Sequence, residues 1–148
     1  MEKTKGRILI VDDDPHAVEI LTRMLGREGY TCLSASGGAA ALETLRQQSV
    51  EVILLDVMMP EMDGLQVCER LRRDENLRAI PVILLTAKDD MQTRAQGMAL
   101  GVSEYLTKPI NKRELFTRIE AQFHAREIDR KLSEMEAAVA DPAKLKLR

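Results

Sequence analysis

Apolar positions in this chain come in solid blocks separated by segments where they recur every three or four residues. Blocks of strand length occur at Arg7 to Val11, Thr31 to Leu33, Val52 to Leu55, Val82 to Leu85 and Val102 to Leu106. Three of them, Ile8–Val11, Val52–Leu55 and Val82–Leu85, are apolar at every position. Strands covered by helices on both faces of a parallel sheet read this way, whereas a strand with one wet face alternates. The segments between them have helical period. A first helix opens at Asp14-Pro15, with Asp14 as N-cap, Pro15 at the first helical position and Val18, Leu21 and Leu25 on one face. Gly29 supplies its stop. A second helix, from Gly38 to Gln48, buries Ala41 and Leu45; a third buries Val67, Cys68 and Leu71; a fourth is expected to bury Met91, Ala95, Met98 and Ala99.

Strict alternation of strand and helix predicts an α/β fold: a doubly wound, five-stranded parallel sheet with helices on both faces. In such a sheet all strands end at one edge, where ligands of open α/β folds collect. The residues just past those ends are Asp12 and Asp13, Asp56, Thr86 and Lys108.

Composition narrows what this rim can meet. The 148 residues, 45% of them hydrophobic, suit one well-buried domain. A net charge of -2 gives no electrostatic footprint for a nucleic-acid backbone, so no nucleic-acid partner is expected for this chain by itself. The charged N-terminus, Met1 to Gly6, and the short apolar run after it fall far below a signal-peptide core or a membrane span, which predicts a cytosolic protein with no membrane partner. Cys32 and Cys68 read as buried, unpaired thiols, and neither His16 nor His124 joins a cluster that would hold zinc. Both histidines are expected to face solvent.

Three carboxylates on one rim repel each other unless a cation compensates them or their pKa values rise. Mg²⁺ takes oxygen ligands, keeps several waters and needs only one or two carboxylates together with phosphate oxygens, which matches Asp12, Asp13 and Asp56. Lys108 adds a positive charge and Thr86 a hydroxyl, so the rim holds what stabilises a transferring phosphoryl group, with Asp56 as the oxygen nucleophile.

The segments Ile8-Leu9-Ile10-Val11-Asp12-Asp13-Asp14, Leu55-Asp56-Val57-Met58-Met59-Pro60-Glu61-Met62-Asp63-Gly64, Leu84-Leu85-Thr86-Ala87 and Tyr105-Leu106-Thr107-Lys108-Pro109 resemble the receiver domain of two-component response regulators. The resemblance runs from about Gly6 to Phe123 and implies the flavodoxin-like strand order 2-1-3-4-5. It further implies that Asp56 accepts phosphate from a sensor histidine kinase or phosphotransfer protein, and that Mg²⁺ sits on Asp12, Asp13, Asp56 and the backbone carbonyl of Met58. Lys108 would pair with the phosphate, Thr86 would swing toward it, and Tyr105 would rotate into the space left, making the fourth helix and fifth strand an output surface. The Lys108-Pro109 bond is expected to be cis. Met58 and Lys88, two positions past Asp56 and Thr86, depart from the polar and acidic pair of the chemotaxis receiver, so its phosphate lifetime does not carry over.

A phosphatase of the haloacid-dehalogenase type would use the same chemistry, but it needs a second Asp where Met58 stands. The fold could also act as a docking module without chemistry, against which the complete set of rim residues argues. The expectation is therefore a phosphoacceptor signalling domain, not an enzyme with a separate substrate, that assists its own phosphorylation and dephosphorylation.

Beyond residue 123 the helical pattern continues, with Ala125, Ile128, Leu132, Met135 and Val139 alternating three and four apart and Glu127, Arg130, Lys131 and Glu134 beside them. The expected division is a receiver over 1-123 and a C-terminal helical extension or linker over 124-148, with no output domain. The seam spans about two heptads. It predicts a homodimer through this helix and the fourth-helix and fifth-strand face, with a helix folding back on its own domain as the alternative. Asp141-Pro142 is expected to end the helix, leaving a short basic end from Lys144 to Arg148.

Overall fold

A computed structural model describes residues 3–87 and 91–140. Five strands, β1 (Arg7–Val11), β2 (Thr31–Ala35), β3 (Val52–Asp56), β4 (Val82–Thr86) and β5 (Glu104–Thr107), form one parallel sheet in the order 2-1-3-4-5. The helices are α1 (Pro15–Arg27), α2 (Gly38–Gln47), α3 (Gly64–Arg73), α4 (Met91–Ala99) and α5 (Lys112–Ala140). Lys88 and the segment from Asp141 to Arg148, with the expected helix stop and basic end, lie outside the described residues.

The solid apolar runs have their physical explanation in two cores, one on each face of the sheet. Alternate strand residues Leu9, Val11, Ile53, Leu55, Val82 and Leu84 meet α2 and α3. Their neighbours Ile8, Ile10, Val52, Leu54, Ile83 and Leu85 meet α1 and α5 through Leu21, Leu25, Leu115 and Ile119. Every residue of β3 and β4 is buried. Each large aliphatic side chain so placed contributes about 1.5 to 3 kcal/mol of transfer free energy.

Local signals act where expected at most ends. The Asp14 carboxylate accepts from the His16 amide at 2.9 Å and caps α1, and Gly29 takes φ +99 just beyond the helix. Asp63 and Gln66 form a reciprocal capping box at the start of α3. Asn111 caps α5 by accepting from the Glu114 amide.

Several expectations are corrected. The fifth strand spans Glu104–Thr107, not Val102 to Leu106; Val102 is buried before the strand begins. The stripe assigned to the fourth helix has the right period and the wrong phase. Met91, Ala95, Met98 and Ala99 all point outward, with Met91 89% exposed, and Gly97 is the buried position, flanked by half-buried Thr93 and Leu100. A Cβ on Gly97 would lie 2.9 Å from Leu84 Cδ1, so the missing side chain lets the α4 backbone lie directly on β4. His16 and His124 are exposed, Cys68 is buried, and Cys32 is half-buried rather than buried; both thiols are free. Among the described residues no helix is long and apolar enough to cross a membrane.

Candidate functional site: a carboxylate rim

The parallel register brings the ends of β1, β3, β4 and β5 to one edge. Val11 pairs with Leu55, and Asp56 pairs with Leu85, so the residues following β1 and ending β3 and β4 share that edge. Ligand oxygens of Asp12, Asp13 and Asp56 all lie within 4.8 Å of one another. Asp12 and Asp56 are buried, 2% and 5% exposed, while Asp13 is open to solvent. One Asp12 oxygen accepts from the Asp14 amide at 2.9 Å, which fixes the carboxylate's orientation. The Lys108 ammonium reaches the other Asp12 oxygen at 3.2 Å and Asp56 Oδ1 at 3.4 Å.

Among the described residues, one ammonium meets three carboxylates at this edge, which leaves them short of positive charge. Burial, and then the negative charge of Asp12, push the Asp56 pKa above its ordinary value, against the opposing pull of Lys108. Burial alone would lower the Lys108 pKa, but the Asp56 and Asp12 carboxylates outweigh it and hold the ammonium above its ordinary range. The donor set is all oxygen and carries surplus negative charge, which fits a hard divalent cation and not a soft metal.

Thr86 ends β4 and is fully buried; its backbone carbonyl accepts from the Lys108 amide at 2.7 Å, which ties the Lys108 loop to the end of β4. The Lys108-Pro109 peptide is cis, as expected. Tyr105 lies beside Leu84 in the β4–β5 register, half-buried, with the Arg94 guanidinium 4.8 Å from its ring centroid. Met58 follows two residues after Asp56 with its side chain 53% exposed. The structure thus brings Asp12, Asp13, Asp56 and Lys108 into direct proximity, with Thr86 at the end of β4 and Met58 two residues past β3; Tyr105, the second residue of β5, sits further back in the sheet.

Gly64, the last residue of the sequence segment that contains Asp56, also belongs to this site. The loop after β3 turns back through Glu61, at φ +67, and the Gly64 amide donates to the Val57 carbonyl at 2.9 Å. A Cβ on Gly64 would lie 2.5 Å from the Asp56 carbonyl oxygen and 2.8 Å from Val57 Cα. Only a residue without a side chain lets α3 start against the backbone of Asp56. The sequence signal, a glycine eight positions after an aspartate that ends an apolar strand, is visible; the approach it permits is not.

Known proteins resemble this chain in sequence and fold. The family model for the response regulator receiver domain matches residues 8–120. The alkaline phosphatase synthesis transcriptional regulatory protein PhoP of Bacillus subtilis is 39% identical over 129 residues, covering 87% of this chain and 53% of PhoP. The response regulator PleD of Caulobacter vibrioides is 45% identical over 114 residues, 77% of this chain and 25% of PleD. The chain therefore spans about half, or less, of the length of these curated relatives. Among solved structures, a signal receiver domain of a histidine kinase from Syntrophus aciditrophicus superposes with TM-score 0.76 at 34% identity, covering 81% of this chain and 91% of that one. A CheY-like receiver domain protein from Methanospirillum hungatei superposes with TM-score 0.79 at 25% identity, covering 87% and 99%.

Proposed function

The chain belongs to the family of response regulator receiver domains, and from that premise we propose that Asp56 is its phosphoacceptor, loaded by a sensor histidine kinase or a phosphotransfer protein. The observation that carries the proposal is the placement of Asp56, buried at a strand end between the Asp12 and Asp13 carboxylates and the Lys108 ammonium. An Asp56 oxygen attacks phosphorus, the phosphorus–nitrogen bond of the donor phosphohistidine breaks, and its electron pair stays on the imidazole nitrogen. Lys108 meets the charge that develops on the phosphoryl oxygens, and the Thr86 hydroxyl donates to one of them. Asp12, Asp13, Asp56 and the Met58 carbonyl would hold Mg²⁺, which would supply the remaining positive charge.

The phosphoryl group adds about 1.5 to 2 negative charges at the rim and biases Thr86 and Tyr105 toward a second arrangement. The chain acts as a switch that assists its own phosphorylation and dephosphorylation. This reading puts the chain in the cytosol with its phosphodonor, takes residues 1-123 as the receiver and 124-148 as a helical extension or linker, and includes a homodimer through that extension and the α4–β5 face. The outward Met91 and Met98 of α4 and the exposed aliphatics of α5 support the last element.

Incubation with acetyl phosphate and Mg²⁺, followed by intact mass measurement, tests the phosphoacceptor. The expected result is a gain of one phosphoryl group that disappears in Asp56→Asn and on chelation. An unchanged mass under conditions that modify a control receiver would refute the reading.

A further inference from the structure

α5 is 29 residues long and only its first half touches the receiver, where Leu115 and Ile119 are buried. Past Phe123, Ile128, Leu132, Met135 and Val139 are 45%, 50%, 63% and 65% exposed, so the receiver leaves the seam uncovered. Across an open groove, Lys5 and Glu51 of the domain's underside face Arg130 and Ser133, on a different side of the helix from the seam, with Asp129 at the border between the two sides. A helix folded back on its own domain would bury the seam instead.

The charges beside the seam also differ from the sequence expectation. Arg130 donates to Glu127 and to Glu134, each at 2.6 Å, so these residues satisfy one another within a single helix. The residues that border the seam directly are His124 and Lys131, preceding Ala125 and Leu132, and Asp129 and Glu136, following Ile128 and Met135. One border carries His124 and the basic Lys131, and the other is acidic. In a parallel, in-register pair each basic border meets the acidic border of the second copy, Lys131 opposite Glu136 and His124 opposite Asp129. In an antiparallel pair like borders meet, acid against acid and base against base. The charge pattern therefore selects orientation as well as occupant.

We propose that residues 121–139 of α5 form a short parallel, in-register coiled coil with a second copy of this chain, with Ala125, Leu132 and Val139 alternating with Ala121, Ile128 and Met135 along the shared seam. This deepens the homodimer part of the proposed function and does not depend on Asp56 chemistry. Sedimentation of the full chain across the micromolar range tests it. Lys131→Glu and Glu136→Lys are each expected to weaken association about tenfold, and the double exchange to restore it. Leu132→Asp, at a position exposed in the single chain, is expected to abolish association while the receiver keeps its circular dichroism. A monomer at every concentration overturns both the dimer and its orientation. A dimer that Leu132→Asp abolishes, but that the single charge reversals leave unchanged or tighten, overturns the parallel orientation and leaves the dimer standing.

Discussion

At the residue scale the rim is defined by an excess of negative charge that the fold holds in place. Burial and the Asp12 carboxylate both raise the Asp56 pKa, so its ionised form is held at a cost. A carboxyl group with a folded pKa above its unfolded one binds more protons in the folded state, so its contribution favours folding at low pH and is lost as pH rises through the folded value. Asp56→Asn removes that charge, and in metal-free buffer it is expected to stabilise the protein by about 1 kcal/mol at neutral pH. The advantage should shrink as pH falls through the raised pKa and vanish below the ordinary value of 3.8. Paired thermal melts of the two proteins from neutral to acid pH check it, and an advantage that grows toward acid would contradict the charge assignment. Gly64→Ala acts on the same site through sterics. Its Cβ would collide with the Asp56 carbonyl oxygen and Val57 Cα, both backbone atoms that cannot move aside cheaply. The expected loss is about 1 to 3 kcal/mol in denaturant unfolding, together with weaker Mg²⁺ binding as the loop carrying Met58 shifts.

At the element scale, legibility followed how strongly a segment's pattern is determined by its own residues. β3 and β4 could be read because both their faces are buried, so every position had to be apolar. α1 could be read because Asp14 caps it locally, and α3 because Val67, Cys68 and Leu71 mark its buried face. α4 could not be phased, since its contact with the sheet is made by the absence of a side chain at Gly97, and hydrophobic periodicity carries no weight for a glycine. The exposed methionines then supplied the only visible stripe, and it faces away from the core. Met98→Lys separates the two phases. At a position 57% exposed the change in stability should stay within about 0.5 kcal/mol, whereas a buried Met98 would have cost several. The path of α5 shows the same limit. Phe123 stacks on Tyr30 with ring centroids 5.2 Å apart and lies over Gly6, where a Cβ would collide with its ring. That contact pins the helix to the receiver at the point where the extension begins, and it joins residues from the two ends of the chain that no local pattern connects.

At the scale of the whole molecule, the rim at the C-terminal edge of the sheet was legible because topology, and no single residue, brings its members together. Once five parallel strands are granted, Asp12, Asp56, Thr86 and Lys108 must share an edge. The same edge carries surplus charge that native burial sustains, so stability of the whole domain should answer to a cation there. A ligand that binds only the folded state adds about 2.7 kcal/mol at a hundredfold excess over its Kd. For a domain of this size each kcal/mol moves the melting temperature by about 2 to 4 °C. Saturating Mg²⁺ is therefore expected to raise the melting temperature of the wild-type chain by about 5 to 10 °C. Asp13→Asn, at an exposed position that can lose its charge without leaving a buried void, should keep the metal-free melting temperature and lose most of the Mg²⁺-dependent rise. A rise of equal size in that variant would place the cation elsewhere and remove Asp13 from the site.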